Sequence, residues 1–116
     1  MEIKILVDDI QKKIEECNER IEFFTFHSCF RLKELECVKK LAYFEISKEI
    51  EKHSNDKELP EILQLKSYVT HGDYKCLLEK GFISLAEEKY VAKSVYFEII
   101  NCLHSSAKVQ ERVNEE

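Results

Sequence analysis

The sequence predicts an all-α protein: a helical bundle of about four to five helices, with long first and last helices. Three observations carry that expectation. Apolar residues recur at helical spacing along the opening stretch, through Ile3, Val7, Ile10, Ile14, Cys17, Ile21 and Phe24. The same rhythm closes the chain, through Leu85, Ala92, Val95, Ile99, Cys102, Val109 and Val113, broken only by Ser106. A repeat of this kind keeps one helix face apolar over many turns. Third, only two glycines and one proline interrupt the 116 residues. A chain of this length fits one domain, residues 1–116.

The first helix is expected over residues 2–24. The alternation of Ile3, Ile5 and Val7 also suits a short strand, but the helical period runs on past it, and Lys4, Asp8 and Lys12 take the opposite face. An aromatic cluster follows: Phe23, Phe24, Phe26 and Phe30 around Thr25, His27 and Ser28. No Gly or Pro marks a turn there. Either Thr25 or Ser28 caps a new helix, or the chain stays helical throughout.

A second helix covers residues 29–53, its apolar face formed by Leu32, Leu35, Val38, Leu41 or Ala42, Ile46 and Ile50. Ser54-Asn55-Asp56-Lys57 reads as a loop, because these side chains compete for backbone hydrogen bonds. Pro60 suits the first turn of a third helix, where its missing N–H costs nothing. That helix carries Ile62, Leu63, Leu65, Lys66 and Val69 and is expected to stop at His71-Gly72. Asp73 then caps a short fourth helix, Tyr74 to Lys80, and Gly81 supplies its left-handed end. Ser84 with Glu87 reads as a capping box for the last helix, Leu85 to Val113, with residues 114–116 fraying. The predicted core is Ile10, Ile14, Leu35, Val38, Ile46, Val95 and Ile99.

A weak internal repeat underlies these elements. Ala42-Tyr43-Phe44-Glu45-Ile46 recurs as Val95-Tyr96-Phe97-Glu98-Ile99, an offset of 53 residues. At the same offset Leu32 meets Leu85, Glu34 meets Glu87, Val38 meets Val91 and Lys40 meets Lys93. The second and last helices either occupy equivalent places in two halves or share a pattern by chance. Consecutive residues differ by about 100° around a helix, so one member of each Tyr-Phe pair must face away from the other.

Composition limits the function classes. The net charge is −5, and residues 1–24 carry seven acids against four bases. No clustered Lys/Arg footprint suits phosphate binding, so no nucleic-acid partner is expected. No apolar run is long enough to cross a membrane, and no signal region opens the chain. The five cysteines, Cys17, Cys29, Cys37, Cys76 and Cys102, are odd in number and scattered, which suits packed thiols in a reducing, cytoplasmic setting.

Catalytic chemistry finds little support. His27 with Cys29 and Cys37, or Cys102 with His104, lack the ligand spacing of a zinc site. Cys76 with His71 is a nominal nucleophile pair of a kind that any chain with five Cys and four His offers. No histidine has Glu three residues before it, so the inward Glu-x-x-His pattern of a di-metal bundle is missing. The expectation is therefore a non-enzyme without metal or cofactor.

Such a chain acts by presenting a surface. The expected role is a small cytoplasmic inhibitor of the immunity-protein, antitoxin or anti-defence type. It would dock directly on a toxin or enzyme, with a basic nuclease suited to its acidic faces. The candidate partner-binding residues are Glu15, Glu16, Glu19 and Glu22 on the first helix and Glu87 and Glu88 at the start of the last. The alternative is a structural or adaptor module, acting through self-association as a homodimer or through a groove for a partner helix.

Overall fold

The computed structural model describes residues 3–53 and 57–115, with side chains as far as His104. It contains four helices, α1 (Ile3–Phe26), α2 (Phe30–Lys52), α3 (Leu59–Glu79) and α4 (Ile83–Glu115), and no strand among the described residues. Of the described residues, 91% are helical. Of the expected loop at residues 54–57, residues 54–56 lie outside the described residues and Lys57 lies in a turn; the side chains of Ser106, Val109 and Val113 are also outside them.

The α1–α2 and α3–α4 turns are closed by one backbone device. At the end of α1, Ser28 adopts the left-handed conformation with φ 57°. Its N–H bonds to the Thr25 carbonyl at 3.2 Å, and the Cys29 N–H bonds to Phe24 at 2.8 Å. At the end of α3, Gly81 has φ 83°. Its N–H bonds to Leu78 at 3.1 Å, and the Phe82 N–H bonds to Leu77 at 2.9 Å. These paired bonds define the Schellman motif, which satisfies the last carbonyls of a helix. Residues 27–29 therefore form a turn. Neither Thr25 nor Ser28 caps α2: Thr25 Oγ1 bonds back to the Ile21 carbonyl at 2.7 Å, and Cys29 occupies the N-cap without a side-chain capping bond.

Two expected boundaries are corrected. α3 does not stop at His71-Gly72 but runs on to Glu79, absorbing the short fourth helix. A Cβ at Gly72 would meet nothing within 4 Å, so this glycine fills no steric need. It costs the helix roughly 1 kcal/mol relative to alanine, and the helix continues through it to the half-buried Tyr74, which meets Tyr90 of α4, and Leu77. The Ser84–Glu87 capping box is absent too. α4 begins one residue earlier than Ser84, at Ile83, so Ser84 is already helical, and Glu87 turns to Arg31 instead.

The 53-residue repeat is a true structural repeat. α1 and α3 end at Phe26 and Glu79, and α2 and α4 begin at Phe30 and Ile83, each pair 53 residues apart. The left-handed residues Ser28 and Gly81 and all their turn hydrogen bonds share this offset. The buried positions follow it as well. Leu6, Ile10, Ala42, Tyr43 and Ile46 answer Leu59, Leu63, Val95, Tyr96 and Ile99, and all of them are buried. The protein is thus two helical hairpins of equivalent construction.

The hairpins join through α2 and α4. Arg31 near the start of α2 bonds Ser84 and Glu87 near the start of α4. Farther along, the Tyr43 hydroxyl donates to Glu98 Oε2 at 2.9 Å. Both contacts advance equally along the two helices, so α2 and α4 run side by side in the same direction. Tyr96 reciprocates by facing Glu45. Burial first, then the charges of Glu45 and Glu49 and a hydrogen bond to Glu45, push its hydroxyl up to about 12. Burial and then Glu98 push Tyr43 well above the usual phenol range. The outer helices cross over in the same reciprocal way, Lys13 of α1 lying 4.0 Å from Glu98 and Lys66 of α3 2.7 Å from Glu49.

One core cluster joins the two halves. Ile10, Ile14, Ile46, Val95 and Ile99 are buried as predicted. Leu35 and Val38, also predicted core, are only half-buried because they line surface grooves. Of the alternatives Leu41 and Ala42, Ala42 is buried and Leu41 exposed. Leu32, Leu65, Val69 and Leu85 also lie exposed, off the packed stripes. The Tyr-Phe pairs split as helical geometry requires: Tyr43 and Tyr96 point inward, Phe44 and Phe97 outward. No described helix is long and apolar enough to cross a membrane.

Candidate functional site

Two surface features stand out: the end of the bundle that carries both turns, and a pair of grooves beside α2 and α4. The turns share one end because Arg31 ties the first turn of α2 to that of α4. Its guanidinium reaches Glu87 at 2.9 Å, the Ser84 carbonyl at 2.7 Å and Glu34 at 2.9 Å. Around this end large apolar side chains face solvent. Phe26 is 84% exposed, Phe30 63%, Phe82 53% and Ile83 68%. Phe23 lies tilted against His27 with ring centroids 4.3 Å apart, and Phe26 meets the same ring edge-on at 5.1 Å. Single exposed apolar residues are ordinary, but several gathered at one end mark an interaction surface.

The six predicted partner-binding carboxylates fall into separate groups. Glu15, Glu19 and Glu22 share the outer face of α1, where spacings of four and three align them in one exposed stripe. Glu16 is turned aside, with Lys13 at 4.0 Å. Glu87 and Glu88 belong to the other hairpin and lean on Arg31 at 2.9 and 4.0 Å. The stripe on α1 therefore presents the less compensated charge. The aromatic end escaped the sequence reading because helical periodicity marks faces, not helix ends. The run Phe23, Phe24, Phe26, Phe30 was its one visible trace.

The grooves are counterparts under the 53-residue repeat. One lies on the α1 side of the α2–α4 pair and encloses about 370 Å³. The other lies on the α3 side and encloses about 500 Å³. Val38, Ala42 and Glu45 of the α3-side groove answer Val91, Val95 and Glu98 of the other, and Leu77 and Leu85 answer Phe24 and Leu32. The remaining pairs have diverged. Leu41 stands where the other groove has Ser94, Ala92 where it has Lys39, Glu88 where it has Leu35, and Lys89 where it has Glu36.

The cysteines and histidines are dispersed. Cys17 is fully buried, Cys37 and Cys76 exposed, and no disulfide joins the described cysteines. Burial and the neighbouring Glu36 push the Cys17 thiol up. His71 and Cys76 sit five residues apart on α3 and so face different directions. His71 stacks instead on Tyr74 at 6.1 Å, and burial followed by Lys93 and Lys75 lowers its pKa. Among the described residues no three His, Cys, Asp or Glu side chains group as metal ligands.

No family model matches this chain, and neither a curated protein nor a solved structure matches it.

Proposed function

We propose that this protein is a cytoplasmic inhibitor that docks directly on a basic protein partner, a toxin or nuclease being the class its charge suits. The exposed aromatic end of the bundle is the observation that supports this reading. Aromatic side chains supply much of the binding energy when they fill pockets on a partner, and charges around them act mainly on encounter. Phe26, Phe30 and Phe82 are the anchors. Glu15, Glu19 and Glu22, on α1, the helix that ends at Phe26, steer a basic surface toward them.

The test begins with affinity capture from the native host, identification of the partner by mass spectrometry, and assay of the partner's activity. Saturating inhibitor should abolish that activity. Phe26→Ala with Phe30→Ala should shorten the residence time of the complex and weaken affinity at least tenfold, about 1.4 kcal/mol. Reversing Glu15, Glu19 and Glu22 to Lys should slow association, most strongly at low salt. A partner that keeps full activity when saturated refutes inhibition. Recovery of nothing but a stable oligomer of the chain itself favours the structural module instead.

A further inference from the structure

The internal repeat allows one groove of this protein to be read against the other. In the α1-side groove the polar positions have partners within the fold: Glu98 takes the Tyr43 hydroxyl at 2.9 Å, with Lys13 at 4.0 Å, and Glu36 takes Arg20 at 3.0 Å. Its middle is polar, with Lys39 and Ser94. The α3-side groove also gives its carboxylates partners, Tyr96 for Glu45 and Arg31 for Glu88, but differs along its middle. Its middle is apolar, with Leu41 and Ala92, and carboxylates mark its two ends, Glu45 and Glu88. Lys66, the counterpart of Lys13, reaches past Glu45 to Glu49 at 2.7 Å, so Glu45 stays exposed with Tyr96 as its neighbour. Leu41 is 60% exposed. Lys89 lies on the α4 rim beside Glu88, and Glu88 has Arg31 at 4.0 Å.

Glu88 is the counterpart of residue 35, so Glu45 and Glu88 stand ten residues apart along the parallel pair, about 15 Å at the rise of an α-helix. We propose that the α3-side groove seats an amphipathic helix of a protein partner, apolar on one face and bearing two basic residues about ten positions apart, which meet Glu45 and Glu88. The apolar face packs on Leu41, Ala92, Val38 and Leu85. Burial of these side chains supplies the attraction, and the two carboxylates fix direction and register. This site is distinct from the aromatic end and does not depend on it.

The probe is a fluorescein-labelled synthetic helix of about sixteen residues, with leucines along one face and lysines about ten residues apart, titrated by anisotropy at low salt. Saturable binding is expected. Leu41→Ser with Ala92→Lys copies the opposite groove into this one and should weaken binding at least tenfold. These residues occupy the equivalent positions in the same fold, and circular dichroism checks that the helices persist. Glu45→Gln with Glu88→Gln should weaken binding and flatten its salt dependence, whereas Phe26→Ala should leave it unchanged. A peptide with glutamates in place of the lysines should not bind. Absence of saturation, binding indifferent to the groove substitutions, or equal binding of the glutamate peptide would overturn the proposal. So would sedimentation showing a dimer of the chain that Leu41→Ser dissolves, because the groove is then closed by a second copy.

Discussion

Replacing Tyr43 by Phe removes one oxygen from the centre of the hairpin interface and leaves the packed ring in place. Tyr43 is 1% exposed, and its hydroxyl donates to Glu98 Oε2 at 2.9 Å. Hydrogen bonds to charged groups contribute about 1.5–3 kcal/mol. The lower end applies here, because the Glu98 side chain is 40% exposed and water replaces the lost donor. The expected loss is about 1.5 kcal/mol, a fall in Tm of roughly 6 °C for a domain of this size. Urea denaturation followed by circular dichroism reads the change directly, with the m-value unchanged because the buried surface is unchanged. In a Glu98→Gln background the same substitution should cost less than about 0.5 kcal/mol, since the charged acceptor is already gone. Tyr96→Phe should be destabilising in the same direction, and the two effects should add. A loss under about 0.3 kcal/mol for Tyr43→Phe in the native background would refute the claim that this bond helps to hold the hairpins together.

Other outcomes follow from the same structure. Tyr96 keeps its proton to about 12 in the folded chain, whereas an unfolded tyrosine ionises near 10. Its stabilisation is thus complete below pH 10 and is lost as pH rises toward 12, by about 2–3 kcal/mol, which alkaline denaturation curves measure. Gly72→Ala should stabilise the protein by about 1 kcal/mol, because the site is helical and its Cβ meets nothing, while Gly81→Ala should cost about as much, because φ there is 83°. Ile46→Ala, at a fully buried position, should cost about 2–5 kcal/mol, against under about 0.5 for exposed Leu32→Ala. Thiol titration should find Cys37 and Cys76 reactive in the native protein and Cys17 reactive only on unfolding.

The helical class, the long terminal helices and most of the core were legible because burial on a helix repeats with the helix period. Ile10, Ile14, Val95 and Ile99 show this. Gly81 was legible because a left-handed helix end favours glycine. The equivalent turn at Ser28 was not, since a serine carries no such mark and adopts φ 57° only because the flanking helices impose it. Gly72 misled for the opposite reason: a glycine inside a helix weakens it by roughly 1 kcal/mol without ending it. The capping box at Ser84 failed because Arg31, distant in sequence, takes up Glu87. The grouping of aromatic residues at one end was hidden for a related reason, since it depends on two turns brought together by a contact across the repeat.

The hairpin construction also bears on how the chain reaches its structure. Most of its packing pairs α1 with α2 and α3 with α4, neighbours along the chain. Each hairpin can therefore form by closing a short turn, with little loop entropy to overcome, and such local topologies fold fast. The docking of α2 on α4 is the step that links the halves over a distance of more than fifty residues, and it is there that Tyr43, Glu98 and Arg31 act. Because one chain carries both hairpins, that docking is intramolecular: it takes place at a high effective concentration and is insensitive to dilution.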